Sequence, residues 1–158
     1  MQKVYLDNAA TTAIHPLVID EMVNVMKDCY GNPSSTHIFG REAKALIELS
    51  RKKIAQYLNA SPAEIYFTSC GTESNNTIIR SCVNDLGVTR IISTYMEHKC
   101  VIESISDLET REKVEVIRLN ILKDGSIDYA QFEDLIKDQS KKTLVSLMHA
   151  NNELGNLL

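Results

Sequence analysis

Apolar residues recur at helical spacing in five segments of this chain, and short apolar runs lie between the later segments. Helices are expected near residues 16–30, 40–58, 72–86, 97–108 and 128–136. In the first of them the spacing predicts a stripe buried against the rest of the protein, made of Val18, Met22, Val25, Met26 and Cys29. Residues 1–15 show no helical period and are predicted to form an N-terminal arm.

Four short runs are apolar, or alternate between apolar and polar residues, and each predicts a β-strand. They are residues 65–68, 91–93, 114–118 and 144–148. Because predicted strands alternate with predicted helices between Glu64 and Met148, the pattern indicates a largely parallel sheet with flanking helices. The predicted fold class is therefore α/β.

Polar clusters follow three of these runs, at residues 69–76, 95–99 and 149–155. Parallel sheets bind ligands beyond the carboxyl ends of their strands, so we expect the three clusters to converge. In the first cluster a helix is predicted to begin at Gly71 and Thr72, where unpaired N–H groups and the helix dipole favour an anion. Phosphate or sulfate is expected there, although Ser and Thr also occur at helix starts that bind nothing.

Composition narrows the possible functions. A length of 158 residues and a hydrophobic content of 44% suit one soluble domain. A net charge of −4 without a strong basic block does not indicate nucleic acid as a partner. No apolar run is long enough for a membrane span, and the N-terminus has no apolar signal segment, which favours the cytoplasm. Four cysteines without metal-ligand spacing predict free thiols and no metal site.

Five motifs, taken together, resemble a known family. Y-L-D-N-A-A-T-T, G-N-P-S-S-T-H, F-T-S-C-G-T-E-S-N-N, E-H-K and M-H-A-N-N-E-L-G occur in this order and span nearly the whole chain. They resemble the N-terminal portion of the pyridoxal-phosphate-dependent cysteine desulfurases, in the class V aminotransferase superfamily. The resemblance implies the first part of the large domain of a fold type I enzyme, with residues 16–158 as an incomplete α/β cofactor-binding domain.

The resemblance also implies roles for individual residues. Gly71 and Thr72 match positions that bind the phosphate of pyridoxal 5'-phosphate. His98 matches a histidine that stacks on the pyridine ring and assists proton transfer, and Asn152 matches an asparagine that hydrogen-bonds the phenolic oxygen of the cofactor. Taken without the family, His98 could simply cap a helix, and Asn152 could simply occupy a turn. Residues 7–12 of the arm and the loop at residues 32–37 match segments near the substrate and the dimer interface.

This sequence departs from the family pattern in two respects. Cys70 stands where relatives commonly have glycine. The family's Schiff-base lysine, pyridine-nitrogen aspartate and persulfide cysteine lie beyond the matched motifs, and neither Lys99 nor any of the four cysteines matches them. The chain alone is therefore expected to be inactive. Because half of the cofactor domain is expected to be absent, we also predict exposed apolar surface on the sheet or helices, and hence self-association.

Several functions remain open at this point. The first is part of a cysteine desulfurase, which converts L-cysteine to L-alanine and passes sulfur to an enzyme cysteine for iron-sulfur cluster or thio-cofactor synthesis. It would act as a homodimer or with a complementary C-terminal segment, and it would pass sulfur to a sulfur-acceptor protein. Alternatives are a selenocysteine lyase, an aminotransferase, or a non-catalytic scaffold for a partner chain. A general nucleotide-binding module is weakly supported because no glycine-rich phosphate motif occurs.

Overall fold

The computed structural model describes residues 3–112 and 114–158. They form two compact units, Met1–Phe67 and Thr68–Leu158. The first two residues of the predicted arm lie outside the described part, and the limits 1–15 and 16–158 stay predictions. No helix in the described part is long and apolar enough to cross a membrane.

The first unit contains two helices and a short 3₁₀ turn: α1 (Pro16–Asp28), α2 (Ile38–Tyr57) and Pro62–Glu64. A histidine precedes each helix and caps it. The Nδ1 atom of His15 accepts the N–H of Leu17 at 3.3 Å, and that of His37 accepts the N–H of Gly40 at 3.4 Å. Each ring therefore pairs one of the N–H groups that a helix start leaves without an intrahelical partner.

The predicted loop between α1 and α2 packs tightly against the start of α2. A Cβ atom at Gly40 would lie 2.4 Å from the carbonyl oxygen of Ser35 and 2.6 Å from that of Asn32. Both positions are backbone and cannot move away easily, so only glycine allows this close approach. The loop is held further by the side chain of Asn32, which accepts the N–H of Ser34 at 2.9 Å.

The second unit is an α/β layer built on three parallel strands, which confirms the predicted fold class. Its elements in chain order are α3 (Gly71–Asn84), β1 (Arg90–Ser93), α4 (Lys99–Arg111), β2 (Glu115–Arg118), α5 (Tyr129–Lys137) and β3 (Thr143–Val145). The strand order is β2-β1-β3. Ile91 lies opposite Val116 on one side and Leu144 on the other, so β1 is the central strand.

Two apolar clusters cover the two faces of this sheet. Successive residues of a strand point to opposite faces, and Ile91 and Ile92, both 0% exposed, belong to different clusters. The Ile91 cluster includes residues of α3 and α4, and the Ile92 cluster receives Phe132 and Leu135 of α5. Each fully buried isoleucine contributes about 1.5–3 kcal/mol. The helices therefore flank the sheet on both sides.

The predicted strand at residues 65–68 is absent. The segment is extended at Ile65 but pairs with no strand in the described part, and Tyr66 and Phe67 are 82% and 51% exposed. An apolar run expresses a preference for extended structure, but a strand also needs a neighbour for its backbone groups. Here Arg51 of α2 donates to the carbonyl of Ile65, and its guanidinium lies 4.9 Å from the centre of the Phe67 ring.

Most of the apolar stripe predicted to be buried on α1 is exposed, while Val25 and Cys29 are half-buried. Val18, Met22 and Met26 are 49%, 48% and 66% exposed, and no residue of α1 is buried. The spacing correctly indicates an apolar face, but no other described element of the first unit buries that face. The expected exposed apolar surface is thereby confirmed, whereas self-association stays a prediction.

Strand β3 is shorter than the predicted residues 144–148 and only half-buried.

Arg90 anchors the beginning of the central strand. Its side chain is 4% exposed and donates to Asp138 Oδ2 at 2.8 Å, to Thr143 Oγ1 at 2.9 Å, and to the carbonyls of Leu135 and Asp138 at 3.2 and 2.9 Å. These partners belong to α5, to β3 and to the segment between them. A single guanidinium therefore connects β1, α5 and β3 at the end of the sheet where β1 begins.

We expect Arg90→Ala to lower the free energy of unfolding by about 2 kcal/mol, because two partly buried carbonyls and Thr143 lose a charged donor. Asp138 is 45% exposed and remains solvated, so the orphaned carboxylate adds little. The matched control is Arg80→Ala, which breaks the Arg80–Asp107 pair of 2.9 Å on a side chain that is 42% exposed. Urea unfolding should give less than about 1 kcal/mol for the control. Equal losses in both variants would contradict the anchoring role of Arg90.

Candidate functional site

A cleft opens beyond the carboxyl ends of β1 and β3. These strands are parallel neighbours, so the segments that follow them emerge at the same edge of the sheet. The cleft has a volume of about 260 Å³ and is lined by Tyr95, Met96, Glu97, His98, Lys99, Met148, Asn151, Asn152, Glu153 and Leu154. Two of the three predicted polar clusters therefore meet here, and they bring His98 and Asn152 to one cavity.

The two segments that form the cleft are bound to each other. Asn151 Nδ2 donates to the carbonyl oxygen of Met96 at 2.9 Å, while Asn151 Oδ1 accepts the N–H groups of Glu153 and Leu154 at 2.9 and 2.8 Å. Asn151 therefore shapes the turn that carries Asn152 and ties it to the segment before His98. Asn151 therefore stabilises the turn, while its neighbour Asn152 lines the cleft.

His98 caps α4 in the same way as His15 and His37 cap their helices. Its Nδ1 atom accepts the N–H of Cys100 at 3.2 Å and also lies 3.0 Å from Cys100 Sγ. The imidazole is exposed at the cleft. Capping a helix is therefore compatible with the predicted contact to a cofactor, because the cap holds the ring at the cleft.

Glu97 is the buried acid of the cleft. Its side chain is 9% exposed, and Oε1 is buried with no hydrogen-bond partner among the described residues. Burial raises the pKa of Glu97, and the backbone N–H of Met148 opposes this rise. The carboxyl group therefore holds its proton to higher pH than an exposed glutamate does.

The predicted anion turn lies at the start of α3. The first backbone bond of the helix runs from the N–H of Ser74 to the carbonyl of Cys70, so the three preceding N–H groups have no intrahelical acceptor. A Cβ atom added to Gly71 would meet nothing within 4 Å, which shows that the turn is open. Cys70 has φ −168° and ψ 171°, an extended conformation open to any residue. Cysteine in place of the family's glycine therefore causes no strain here.

Two side chains at the start of α3 have lowered pKa values. The Glu73 carboxylate accepts the hydroxyl and the N–H of Ser69, both at 2.6 Å, and these bonds lower the pKa of Glu73. The thiol of Cys70 makes no regular capping bond, but the N–H of Glu73, the Ser69 hydroxyl and the N–H of Thr72 lower its pKa. The turn therefore favours negative charge, as an anion site requires.

Gly71 and Thr72 do not line the cleft that holds His98 and Asn152. The two places are joined instead through the packed helices α3 and α4. Asn75 Nδ2 donates to Cys100 Sγ at 3.4 Å, and Ser104 Oγ donates to Asn76 Oδ1 at 2.8 Å. The first polar cluster is thus fixed, one helical turn beyond the predicted anion turn, to helix α4, which follows the second cluster.

Sequence reasoning missed three residues at this site: Glu97, Asn75 and Cys100. Glu97 stands in the quoted E-H-K motif, but its burial depends on how the segment after β1 folds under the segment after β3. The contact between Asn75 and Cys100 joins residues 25 positions apart. One signal was available, because Glu97 stands directly before His98 in that motif.

Together these features define an α/β protein with a cleft at the carboxyl ends of parallel strands and a helix start, at α3, whose first N–H groups lack intrahelical acceptors. The family model of the class-V aminotransferases matches residues 4–158, and the chain belongs to this family. The cysteine desulfurases within it depend on pyridoxal phosphate.

Individual relatives narrow the similarity. The mitochondrial cysteine desulfurase of Drosophila melanogaster is 41% identical over 155 residues, covering 96% of this chain and 33% of that protein. A solved NifS-like protein superposes with a TM-score of 0.90 at 38% identity, covering 99% of this chain and 43% of its own. The structure of SspA in complex with cysteine superposes with a TM-score of 0.84 at 33% identity, covering 94% of this chain and 43% of SspA. These matches confirm the resemblance read from the motifs, and the chain spans about a third of the length of the Drosophila relative.

We expect Glu97→Gln to remove a pH dependence of stability. A raised pKa in the folded state means that the contribution of protonated Glu97 is complete below the ordinary value of 4.5 and is lost as pH rises through the folded pKa. The amide is uncharged at every pH, so the variant should gain stability over the wild type as pH increases above 4.5. Urea unfolding across this range measures the difference. Glu103→Gln, on the exposed surface of α4, is the control; parallel curves for wild type and Glu97→Gln would contradict the burial of a neutral acid.

We also predict that inorganic phosphate binds the turn at Gly71 and Thr72, and that Glu73→Gln strengthens the binding by about 2- to 5-fold. The amide side chain can still accept the Ser69 hydrogen bonds but no longer repels an anion. Amide chemical shifts of Gly71, Thr72 and Glu73 followed during a phosphate titration measure the affinity. Glu103→Gln makes the same charge change away from the turn and should leave it unaltered. Shifts spread evenly over other helix starts, such as that of α5, would count against a specific site.

Proposed function

We propose that this chain is part of a pyridoxal-phosphate-dependent cysteine desulfurase, for which it supplies the phosphate turn and one wall of the active site. The observation that carries this proposal is the shared cleft of His98 and Asn152 beyond β1 and β3. Membership of the class-V family and the 41% identity to a cysteine desulfurase support it.

The residues present fit the cofactor. The N–H groups at the start of α3, the open space at Gly71 and the hydroxyl of Thr72 suit a phosphate group. In the cleft, the flat imidazole of His98 suits stacking on the pyridine ring, and the amide of Asn152 suits a hydrogen bond to the phenolic oxygen. The assignment of Gly71, Thr72, His98 and Asn152 to these roles is part of the proposal.

When bound, the cofactor supplies an electron sink for bond cleavage next to an amino group. The residues of this chain bind and orient it and handle one proton. With Nδ1 of His98 engaged by the N–H of Cys100, the remaining ring nitrogen Nε2 is the atom that can hold or release a proton toward the cleft. Asn151 and Glu97 keep the loop under Asn152 in place, so that cofactor contacts do not depend on a mobile segment.

The proposed substrate of the complete enzyme is L-cysteine, supported by the similarity to SspA, whose structure was solved in complex with cysteine. A homodimer, a complementary C-terminal segment and a sulfur-acceptor protein are the proposed partners. A cytoplasmic location stays a prediction, since the Drosophila relative is named as mitochondrial.

We further propose that these 158 residues alone bind the cofactor weakly and do not desulfurate cysteine. Turnover needs a lysine that bonds the cofactor covalently and a thiol at the substrate sulfur, whereas the groups identified here only position and exchange a proton. Lys99 lies at the cleft, but it belongs to the E-H-K motif and begins helix α4.

The test is a titration of the chain with pyridoxal phosphate, with sulfide release from L-cysteine measured in parallel under a thiol reductant. We expect His98→Ala to weaken cofactor binding by roughly 10-fold through loss of stacking. His15→Ala is the matched control because it removes the same kind of helix cap from α1, and His15 does not line the cleft. Equal effects of the two variants would overturn the site. Cofactor-dependent sulfide release by the 158-residue chain would overturn the proposed inactivity and would require a lysine in reach.

A further inference from the structure

The ring of His98 makes two contacts to one residue. Its Nδ1 atom lies 3.2 Å from the backbone nitrogen of Cys100 and 3.0 Å from the thiol sulfur of the same residue. Cys100 is half-buried and packs against the apolar cluster around Ile91. The thiol is therefore held next to the imidazole by the first turn of α4 and by the core beneath it.

The backbone contact decides which ring nitrogen carries the proton. A backbone N–H can only donate, so the Nδ1 atom that faces the N–H of Cys100 must be an acceptor. If Nδ1 carried the proton, two donors would face each other at 3.2 Å. Neutral His98 is therefore the tautomer with its proton on Nε2.

The same logic orients the thiol. With Nδ1 as an acceptor, the S–H group of Cys100 also donates to it at 3.0 Å, so the thiol and the backbone N–H share its one lone pair. The sulfur in turn accepts from Asn75 Nδ2, which lies 3.4 Å away on α3. Donor and acceptor roles agree along the whole chain from the Asn75 amide through the Cys100 thiol to the His98 ring, and hydrogen bonds in such a chain reinforce one another.

We propose that Cys100 is a positioning residue that, backed by Asn75, holds His98 in the Nε2-protonated tautomer and in its orientation at the cleft. This inference rests on the proposed function for its meaning, because the fixed proton is the one that His98 offers to a bound cofactor or substrate. The geometry that it describes belongs to the chain itself and is testable without cofactor.

The molecule contains its own reference for the contribution of the thiol. His15 caps α1 through the same contact, with its Nδ1 atom accepting the N–H of the residue two positions later at 3.3 Å. That residue is Leu17, which has no polar side chain. His15 therefore reports the tautomer balance set by a backbone N–H alone, and His98 reports the balance with the thiol added.

The experiment uses the 158-residue chain with ¹⁵N-labelled histidine. Couplings between the ring nitrogens and carbon-bound ring protons give the tautomer ratio of each of the four histidines. In the wild type, Nε2–H should predominate more strongly in His98 than in His15. Cys100→Ala keeps the backbone N–H and removes the thiol, so it should raise the Nδ1–H to Nε2–H ratio of His98 by about 2- to 10-fold. Cys100→Ser keeps a donor and should restore most of the wild-type ratio.

A second variant leaves Cys100 in place. Asn75→Asp replaces the amide donor by an acceptor that draws the S–H away from Nδ1, so the His98 ratio should move in the same direction as in Cys100→Ala while that of His15 stays constant. An unchanged His98 ratio in both variants would overturn the proposal. So would a change of equal size in His15, because it would report a general loss of structure.

Cofactor titration separates this inference from the proposed function. If Cys100→Ala shifts the tautomer ratio and His98→Ala fails to weaken pyridoxal phosphate binding, the positioning contact stands and the proposed cofactor role of His98 fails. If His98→Ala weakens binding and neither Cys100→Ala nor Asn75→Asp changes the tautomer ratio of His98, the cofactor role stands and the role of Cys100 fails.

Discussion

The structure of the second unit depends on the pairing of β1 with a parallel strand on each side. All four residues of β1 are buried, and its backbone bonds both to β2 and to β3. Parallel pairing forces the chain to cross over through a helix after each strand, and it brings the segments that follow β1 and β3 to one edge. The cleft is a direct result of this constraint, since both of its walls are strand-to-helix or strand-to-loop segments at that edge.

The two ends of β1 carry different chemistry. At its beginning, the buried Arg90 is satisfied by Asp138, Thr143 and two carbonyls, so that its charge stabilises the fold and is not accessible to a ligand. Beyond its end, Glu97 is buried with one oxygen unpaired among the described residues, and His98 is exposed. Polar groups that are fully paired hold the sheet together, whereas those left with spare capacity lie where ligands of parallel sheets bind.

The sequence allowed the helices, the parallel sheet and the meeting of His98 with Asn152 to be predicted, because each follows from local periodicity and the strand-end rule. The extended segment 65–68 and the exposed stripe of α1 could not be predicted in the same way. In both cases the residues express a local preference, for extended backbone or for an apolar helical face, but the partner that would turn preference into burial is a matter of tertiary structure. The relay of Asn75, Cys100 and His98 escaped prediction because it depends on rotamers of residues on two helices.

Two glutamates show how this fold prepares a site for different charges. Glu73, in the first turn of α3, accepts two hydrogen bonds from Ser69, which lower its pKa and favour its ionised form. Glu97 lies under the cleft floor, where burial raises its pKa. A site for an anionic, proton-exchanging ligand needs donors in one place and little fixed negative charge in the other. Burial moves Glu97 toward the second requirement, because it shifts the titration of the carboxyl group to higher pH. Glu73 instead competes with any anion for the start of α3, so the strength of the phosphate turn reflects a balance between the helix dipole and this carboxylate.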